Sequence, residues 1–440
     1  MTPYKSELMN VKYTLTVALS ALFSFQLIAQ QTPANAQSQA IAIEGATLHV
    51  GNGDVIENGL IIFDNGQITY AGSADAKISR PAEVIKANGK HVYPGFIVPT
   101  KSLGLVEINA VRASDDADEI GEMIPHVRSI IAYNAESQVV ESLRQNGMLM
   151  GQITPQGGRI SGSSSIVQFD AWNWEDAAVK TDDGIHLNWP SAFRNGRWWA
   201  GEERGYRPND QYREQIKQVL DFLVEAKAYL SGNQSPIHLP YSACAGLFDQ
   251  TQRLYVYADG EREISDAIIS LKELGIENIV LVGGYHAEKV SDLLLQHEVP
   301  ILVHNGHEIP EFEDDAYDYV YGLAARLHQK GHLVALQNAS KSNFQVRNLP
   351  FYAGHAVQYG LSKEEALQLI TLNTAKILGI DDHYGSLEVG KKATLFISEG
   401  DALDMRGNQL SRAFIDGRDI SLETHQTKLW KRYKEKYESQ

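Results

Sequence analysis

The sequence predicts an α/β protein: a parallel sheet with right-handed crossovers, inserted into a small β domain that is split between the two chain ends. Three observations carry this. Short apolar runs alternate with helix-spaced segments between Arg253 and Gln337. Strand-like runs bounded by turns cluster at residues 41–91 and return near the C-terminus. The chain has 440 residues, 43% of them hydrophobic, enough for a large buried core and long for one domain unless that domain is a large α/β barrel.

The N-terminal strands are read from turn chemistry. Ile41, Ile43, Ala46 and Leu48 lead into Gly51-Asn52-Gly53-Asp54. Leu60-Ile61-Ile62-Phe63 is followed by Asp64-Asn65-Gly66 and then Gln67-Ile68-Thr69-Tyr70, a hairpin signal because Asn and Gly both tolerate positive φ. Strands are also expected at Val92–Pro99, Leu149–Thr154 and Ser165–Phe169. Further on, Arg253–Ala258 reads as a strand. Ile264, Ala267, Ile268, Leu271 and Leu274 give a helical stripe that stops at Gly275. Strands at Asn278–Val282, Val299–His304 and Leu333–Gln337 alternate with helices over 286–296 and 315–329, and Ser362 with Glu365 forms a capping box. Residues 171–250 interrupt the rhythm with five Trp residues among charges and glycines, and read as an insertion ending in a helix near 210–230. The basic helix from Lys428 to Lys436 is expected to be solvated, packing its aromatic side on the body of the protein.

Lys12, the uncharged run Tyr13–Ala29 and Ala34-Asn35-Ala36 have the order of a cleavable secretory signal, so residues 1–36 are read as an address to a bacterial periplasm or exterior. No later run approaches membrane length, and no membrane association is expected after cleavage. The net charge of −16 argues against a nucleic-acid surface, which needs clustered Lys and Arg. The single Cys244 cannot form an internal disulfide and reads as a buried thiol.

Several motifs form a recognisable set. Val92-Tyr93-Pro94-Gly95-Phe96-Ile97, Asn348-Leu349-Pro350-Phe351, Gly360-Leu361-Ser362-Lys363-Glu364-Glu365, Thr371-Leu372-Asn373-Thr374-Ala375 and Gly385-Ser386-Leu387-Glu388-Val389-Gly390 together resemble the amidohydrolase superfamily, especially secreted members related to imidazolonepropionases and Xaa-Pro dipeptidases. The resemblance implies a (β/α)8 TIM-like barrel over 92–380, with a split β-sandwich from 37–91 and 381–440. It also implies hydrolysis of C–N bonds other than peptide bonds, or of short dipeptides. One or two divalent metals at the barrel mouth would activate a water.

The ligands that this chemistry needs are replaced. Thr100 and Ser102 stand where the resemblance implies a His-x-His pair, with Lys101 between them. Tyr257 takes the place of a middle-strand histidine, and Asn338 or Ala339 that of the last-strand Asp base. Neutral hydroxyls and amides are poor zinc ligands. His286, His304 and His307, with Glu308, are the residual candidates for a metal such as zinc; otherwise no cofactor is expected. The Gly157–Ser165 loop lacks the Lys-Ser/Thr of a phosphate cradle and reads as a mouth loop. Two functions stay open: a hydrolase of cyclic amides, amino-acid derivatives or dipeptides, and a catalytically inactive binder of a small amide or peptide. The second would act as a homo-oligomer or as partner of an intact paralogous amidohydrolase.

Overall fold

The structure is a computed structural model that describes residues 32–438 except Ile78, Ala82, Asn109, Arg197, Arg204, Asn305, Gly306, Ser340 and Lys341. Most of the expected signal therefore lies outside the described residues. The chain opens with β1 (Ile41–His49), β2 (Val55–Asp64), β3 (Gln67–Ser73), β4 (Glu83–Lys86) and β5 (His91–Pro94). Asn65 and Gly66 turn β2 into β3 with φ of 49° and 77°, the left-handed pair that Asn-Gly supplies at low cost.

Barrel strands follow: β6 (Phe96–Lys101), β7 (Met148–Ile153), β8 (Ile160–Gln168) and β9 (Ala178–Asn188). After a short hairpin, β10 (Phe193–Asn195) with β11 (Tyr206–Pro208), come β12 (Arg253–Ala258), β13 (Ile279–Gly283), β14 (Ile301–His304) and β15 (Val334–Gln337). The last strands, β16 (Leu395–Ser398), β17 (Leu410–Ile415) and β18 (Arg418–Ile420), return to the first sheet.

Two eight-stranded sheets result. The barrel sheet runs β15-β14-β13-β12-β9-β8-β7-β6 and almost closes. At its seam the amides of Leu336 and Ile97 donate to the carbonyls of Leu369 and Ile370, so this segment satisfies backbone groups that no neighbouring strand reaches. The other sheet runs β18-β17-β16-β5-β1-β2-β3, with β4 also on β1. As expected, this β domain is built from both chain ends, its strands linked by hydrogen bonds through the bulged β1. It rolls around Ile43, Leu48, Ile61, Phe63, Leu395 and Phe414, bringing Phe63 of β2 within 5.1 Å of Phe414 of β17.

Several expectations need correction. The strand expected at Val92–Pro99 is two strands in two sheets, parted at Gly95. A Cβ there would meet Thr394 at 2.9 Å and Leu149 at 3.0 Å, so only glycine lets the chain pass between sheet and barrel. The strand around Ser165–Phe169 is the end of β8, which runs antiparallel to both β7 and β9, with no helix before it and only the single turn Trp174–Ala177 after it. The barrel thus departs at this one strand from a strict βα repeat. Residues 171–250 are not wholly an insertion, because β9 lies between β8 and β12 in the barrel wall. Only the later part, with the β10–β11 hairpin and the helix Tyr212–Ser231, is excursion. The terminal helix His425–Glu438 is solvated but does not pack its aromatic side. Trp430 is 61% exposed, and the Lys434 ammonium lies 5.1 Å from its ring centre.

Cys244 is buried, and burial pushes its thiol up to about 12, as expected of an inert thiol. Among the described residues no helix is long and apolar enough to cross a membrane.

Candidate functional site at the barrel mouth

Strand alternation sorts the barrel residues. Leu254, Val256, Ile279, Leu281, Val334 and Leu336 belong to the core that contacts the helices, whereas Tyr255, Tyr257, Val280, Val282, Leu302 and Ala335 cluster inside the barrel. At the C-terminal ends of the strands the inner set turns polar and opens into a cavity of about 340 Å³. Its lining includes Thr100, Ser161, Asn188, Tyr257, Asp259 and Gln337. This is the end where βα loops build sites in barrel enzymes.

The strand that should carry the first ligands is locally distorted. Thr100 has φ of 50°, uncommon for a β-branched residue, and the β6–β7 register shifts between Val98 and Lys101. The Thr100 amide donates to Gln152 Oε1 at 2.9 Å, and its hydroxyl lies 3.5 Å from Gln337 Oε1 across the seam. Lys101 is buried and donates from Nζ to the Ala339 carbonyl at 3.1 Å. Burial lowers its ammonium to about 8. Ser102 is also buried, its hydroxyl 3.4 Å from Gln156 Nε2.

From Gln152 the network continues inward. Its amide donates to Asp183 Oδ2 at 2.9 Å and to Ser164 Oγ at 3.1 Å. Ser164 Oγ donates to Asp183 Oδ1 at 2.7 Å, and the Tyr255 hydroxyl donates to Oδ2 at 2.8 Å. Asp183 is fully buried, and desolvation raises its pKa against these three donors. On the same strand His186 is fully buried, stacked on Tyr255 with ring centres 4.7 Å apart. Its Nδ1 lies 3.0 Å from the Tyr257 hydroxyl. Among the described residues its Nε2 is buried without a hydrogen-bond partner, and burial lowers the imidazole to about 3, so it stays neutral.

Asp183 and His186 were not singled out from the sequence, because they lie in the stretch read as an insertion. A signal was present: Ile185 and Leu187 alternate with Gly184, His186 and Asn188, the period of a strand.

The other candidate residues are dispersed. His286 stacks on Phe312, ring centres 5.2 Å apart, in a cleft beside the mouth. His307 pairs with His355 at 2.7 Å between ring nitrogens. His304 ends β14, where its backbone pairs with Gln337, but its side chain is outside what is described. Asn338 is buried behind β15 and Glu308 lies on the loop after β14. Among the described residues no three His, Cys, Asp or Glu side chains come together to hold a metal ion.

Among the described residues, the side chains at the mouth do not assemble the His and carboxylate donor set of a divalent metal. Thr100, Tyr257, Gln337 and Asn188 offer neutral oxygens and amides to the cavity, and Asp259 is the one carboxylate among the described residues that line it. Asp183 already accepts from three protein groups, and Nδ1 of His186 is engaged by Tyr257. What this arrangement does offer is hydrogen bonding to a small neutral polar molecule.

Comparison with known proteins agrees with this architecture. A model of the amidohydrolase family matches residues 324–425. A 5-methylthioadenosine/S-adenosylhomocysteine deaminase of Symbiobacterium thermophilum is 23% identical over 396 residues, spanning 82% of this chain and 86% of that protein. An amidohydrolase from Thermotoga maritima has a similar fold, with TM-score 0.75 and 22% identity over 87% of this chain and 99% of that one. A Xaa-Pro dipeptidase with bound methionine shares the fold more distantly, with TM-score 0.52 and 15% identity over 87% of this chain and 100% of that one. The barrel, the two-ended sheet and these matches together make the chain similar to proteins of the amidohydrolase superfamily, in fold over most of its length and in the family's sequence pattern over residues 324–425.

Proposed function

We propose that this protein is a catalytically silent amidohydrolase relative whose barrel mouth binds a small polar ligand, an amide, an amino-acid derivative or a short peptide, without metal-assisted hydrolysis. The observation that carries the reading is the lining of the mouth, where Thr100, Asn188, Tyr257 and Gln337 present hydroxyls and amides in a cavity of about 340 Å³. Metal-dependent C–N hydrolysis needs a Lewis acid and a base for the attacking water. Asn338 and Ala339 cannot accept that proton, and the neutral groups at 100 and 102 are weak ligands. Function resides in the site rather than in the fold, so the replaced groups weigh more than the shared barrel. The same reading takes the protein as exported, on the strength of the Lys12–Ala36 segment, and working as a homo-oligomer or beside an intact paralogue.

The test pairs wild type with a grafted site. Wild type, assayed with added zinc or manganese on N-acyl amino acids, cyclic amides and dipeptides, should show no turnover above buffer. Metal-dependent turnover would overturn the reading. The variant Thr100→His/Ser102→His/Asn338→Asp should raise zinc uptake towards about one equivalent, because two imidazoles and a carboxylate approach a zinc donor set. Histidine is also among the residues that accept a positive φ at position 100. No rise would mean that these positions are not the equivalents of the ligand sites.

A further inference from the structure

Beside the mouth lies a second and larger cavity, about 660 Å³, that shares Asp259 with it. Its walls are Phe193 and Tyr206 from the two strands of the β10–β11 hairpin, Tyr285 and His286 after β13, and Phe312 from the loop after β14. Phe312 organises them: its ring centre lies 5.5 Å from Tyr206, 5.9 Å from Tyr285 and 5.2 Å from His286. The Tyr206 hydroxyl donates to Glu311, and the Tyr285 hydroxyl to Asp315, with its oxygen accepting from the Glu311 amide at 2.9 Å. The hairpin is thereby tied across the cleft to the loop. Phe193 and Tyr206 nevertheless remain about half exposed, large rings held open to solvent on the face of a cavity.

Among the described residues, the charges around this cleft are unbalanced. Asp259, Glu261, Glu263 and Glu311 line it, against Arg262 and Lys289. Arg262 is drawn away, its Nε 3.6 Å from Asp266 and its guanidinium 4.9 Å from the Tyr212 ring centre. Glu263 is committed to the hairpin, accepting from the Ala192 amide at 2.8 Å. Burial lowers the pKa of His286, which therefore adds no positive charge near neutral pH. Lys289 is exposed at the rim. Aromatic faces backed by the carboxylates of Glu261, Glu311 and Asp259 are the surroundings that attract an organic cation, through ring quadrupoles and through charge.

We propose that this cleft is a binding site for a small organic cation of the alkylammonium or quaternary ammonium type. The cationic head sits against Tyr206 and Phe312, and the remainder of the molecule points past Asp259 towards the mouth. The proposal does not depend on whether the mouth itself holds a metal.

The test uses the full-length protein with two probes of matched shape, choline and its uncharged isostere 3,3-dimethyl-1-butanol, followed by calorimetry. Choline should bind with a Kd of about 1 mM or tighter, and the alcohol about tenfold more weakly. Phe312→Ala and Tyr206→Ala should each weaken choline severalfold, and Glu261→Gln should lower its affinity without changing that of the alcohol. These side chains lie on loops, a surface hairpin and a helix start, so the variants keep the barrel core intact. Equal affinity for the two probes, absence of choline binding, or choline binding unaffected by Phe312→Ala would overturn the proposal.

Discussion

Replacing Asp170 with alanine is expected to cost about 3–5 kcal/mol of stability, the range for breaking a buried ion pair by removing one partner. The Asp170 side chain is 2% exposed and bridges two arginines. Oδ1 accepts from Arg144 at 2.9 Å and Oδ2 from Arg418 at 3.0 Å, with the Ala34 amide also donating to Oδ2 at 2.8 Å. Arg418 belongs to the two-ended sheet, Arg144 follows the helix Gln138–Leu143 on the barrel, and Asp170 follows β8. The carboxylate therefore joins two parts of the fold built from distant stretches of sequence. Burial alone lowers the pKa of Arg144, and Asp170 is the main opposing influence. Without it a buried guanidinium loses its main carboxylate partner, which is why the loss exceeds that of any surface pair here. Urea denaturation should show a lowered midpoint with little change in slope, and Asp170→Asn should lose less because it keeps an acceptor. A loss for alanine below about 1 kcal/mol would place this cluster with ordinary surface ion pairs.

The second large effect concerns acid. His186 has a folded-state pKa of about 3 because it is fully buried, against 6.5 for an imidazole in the unfolded chain. The unfolded chain thus takes up a proton that the folded chain refuses. Stability from this residue is complete above about pH 6.5 and declines as the pH falls towards 3, by up to about 4–5 kcal/mol. His91, His286, His332 and His355 are lowered in the same direction by burial, so wild type should be distinctly acid-sensitive. His186→Phe keeps a ring on Tyr255 and has nothing to protonate. The difference between its stability and that of wild type should shift in its favour by several kcal/mol between pH 7 and pH 4. Parallel curves for the two proteins would show that water reaches His186 Nε2.

Most of the fold was legible because its signals are local. Asn65-Gly66 announces a hairpin, Ser362 with Glu365 forms the capping box that opens Lys363–Gln368, and the 264-267-268-271 stripe buries one side of the helix Glu261–Glu273. What escaped depends on neighbours distant in sequence. β9 contains Lys180-Thr181-Asp182-Asp183, which reads as a solvated loop until Gln152, Ser164 and Tyr255 arrive from three other strands to satisfy Asp183. β8 shows apolar residues but not its direction, which only its pairing with β7 and β9 reveals.

At the candidate site, the sequence alone names positions but not their surroundings. Thr100, Ser102, Tyr257 and Asn338 could be read as departures from a ligand pattern. The φ of 50° at Thr100, the bond between its amide and Gln152, and the Asp183 and His186 groups behind them are tertiary properties. The aromatic cleft beside the mouth is tertiary as well, since Phe193, Tyr206, Tyr285 and Phe312 come from three separate stretches.

The central claim is that the mouth has exchanged metal chemistry for neutral hydrogen bonding, and metal content tests it most directly. Protein purified without chelators, incubated with zinc and then passed into metal-free buffer, should retain well under about one equivalent by elemental analysis. A full equivalent that stays bound, with anomalous scattering locating it between Thr100, Tyr257 and Gln337, would contradict the account.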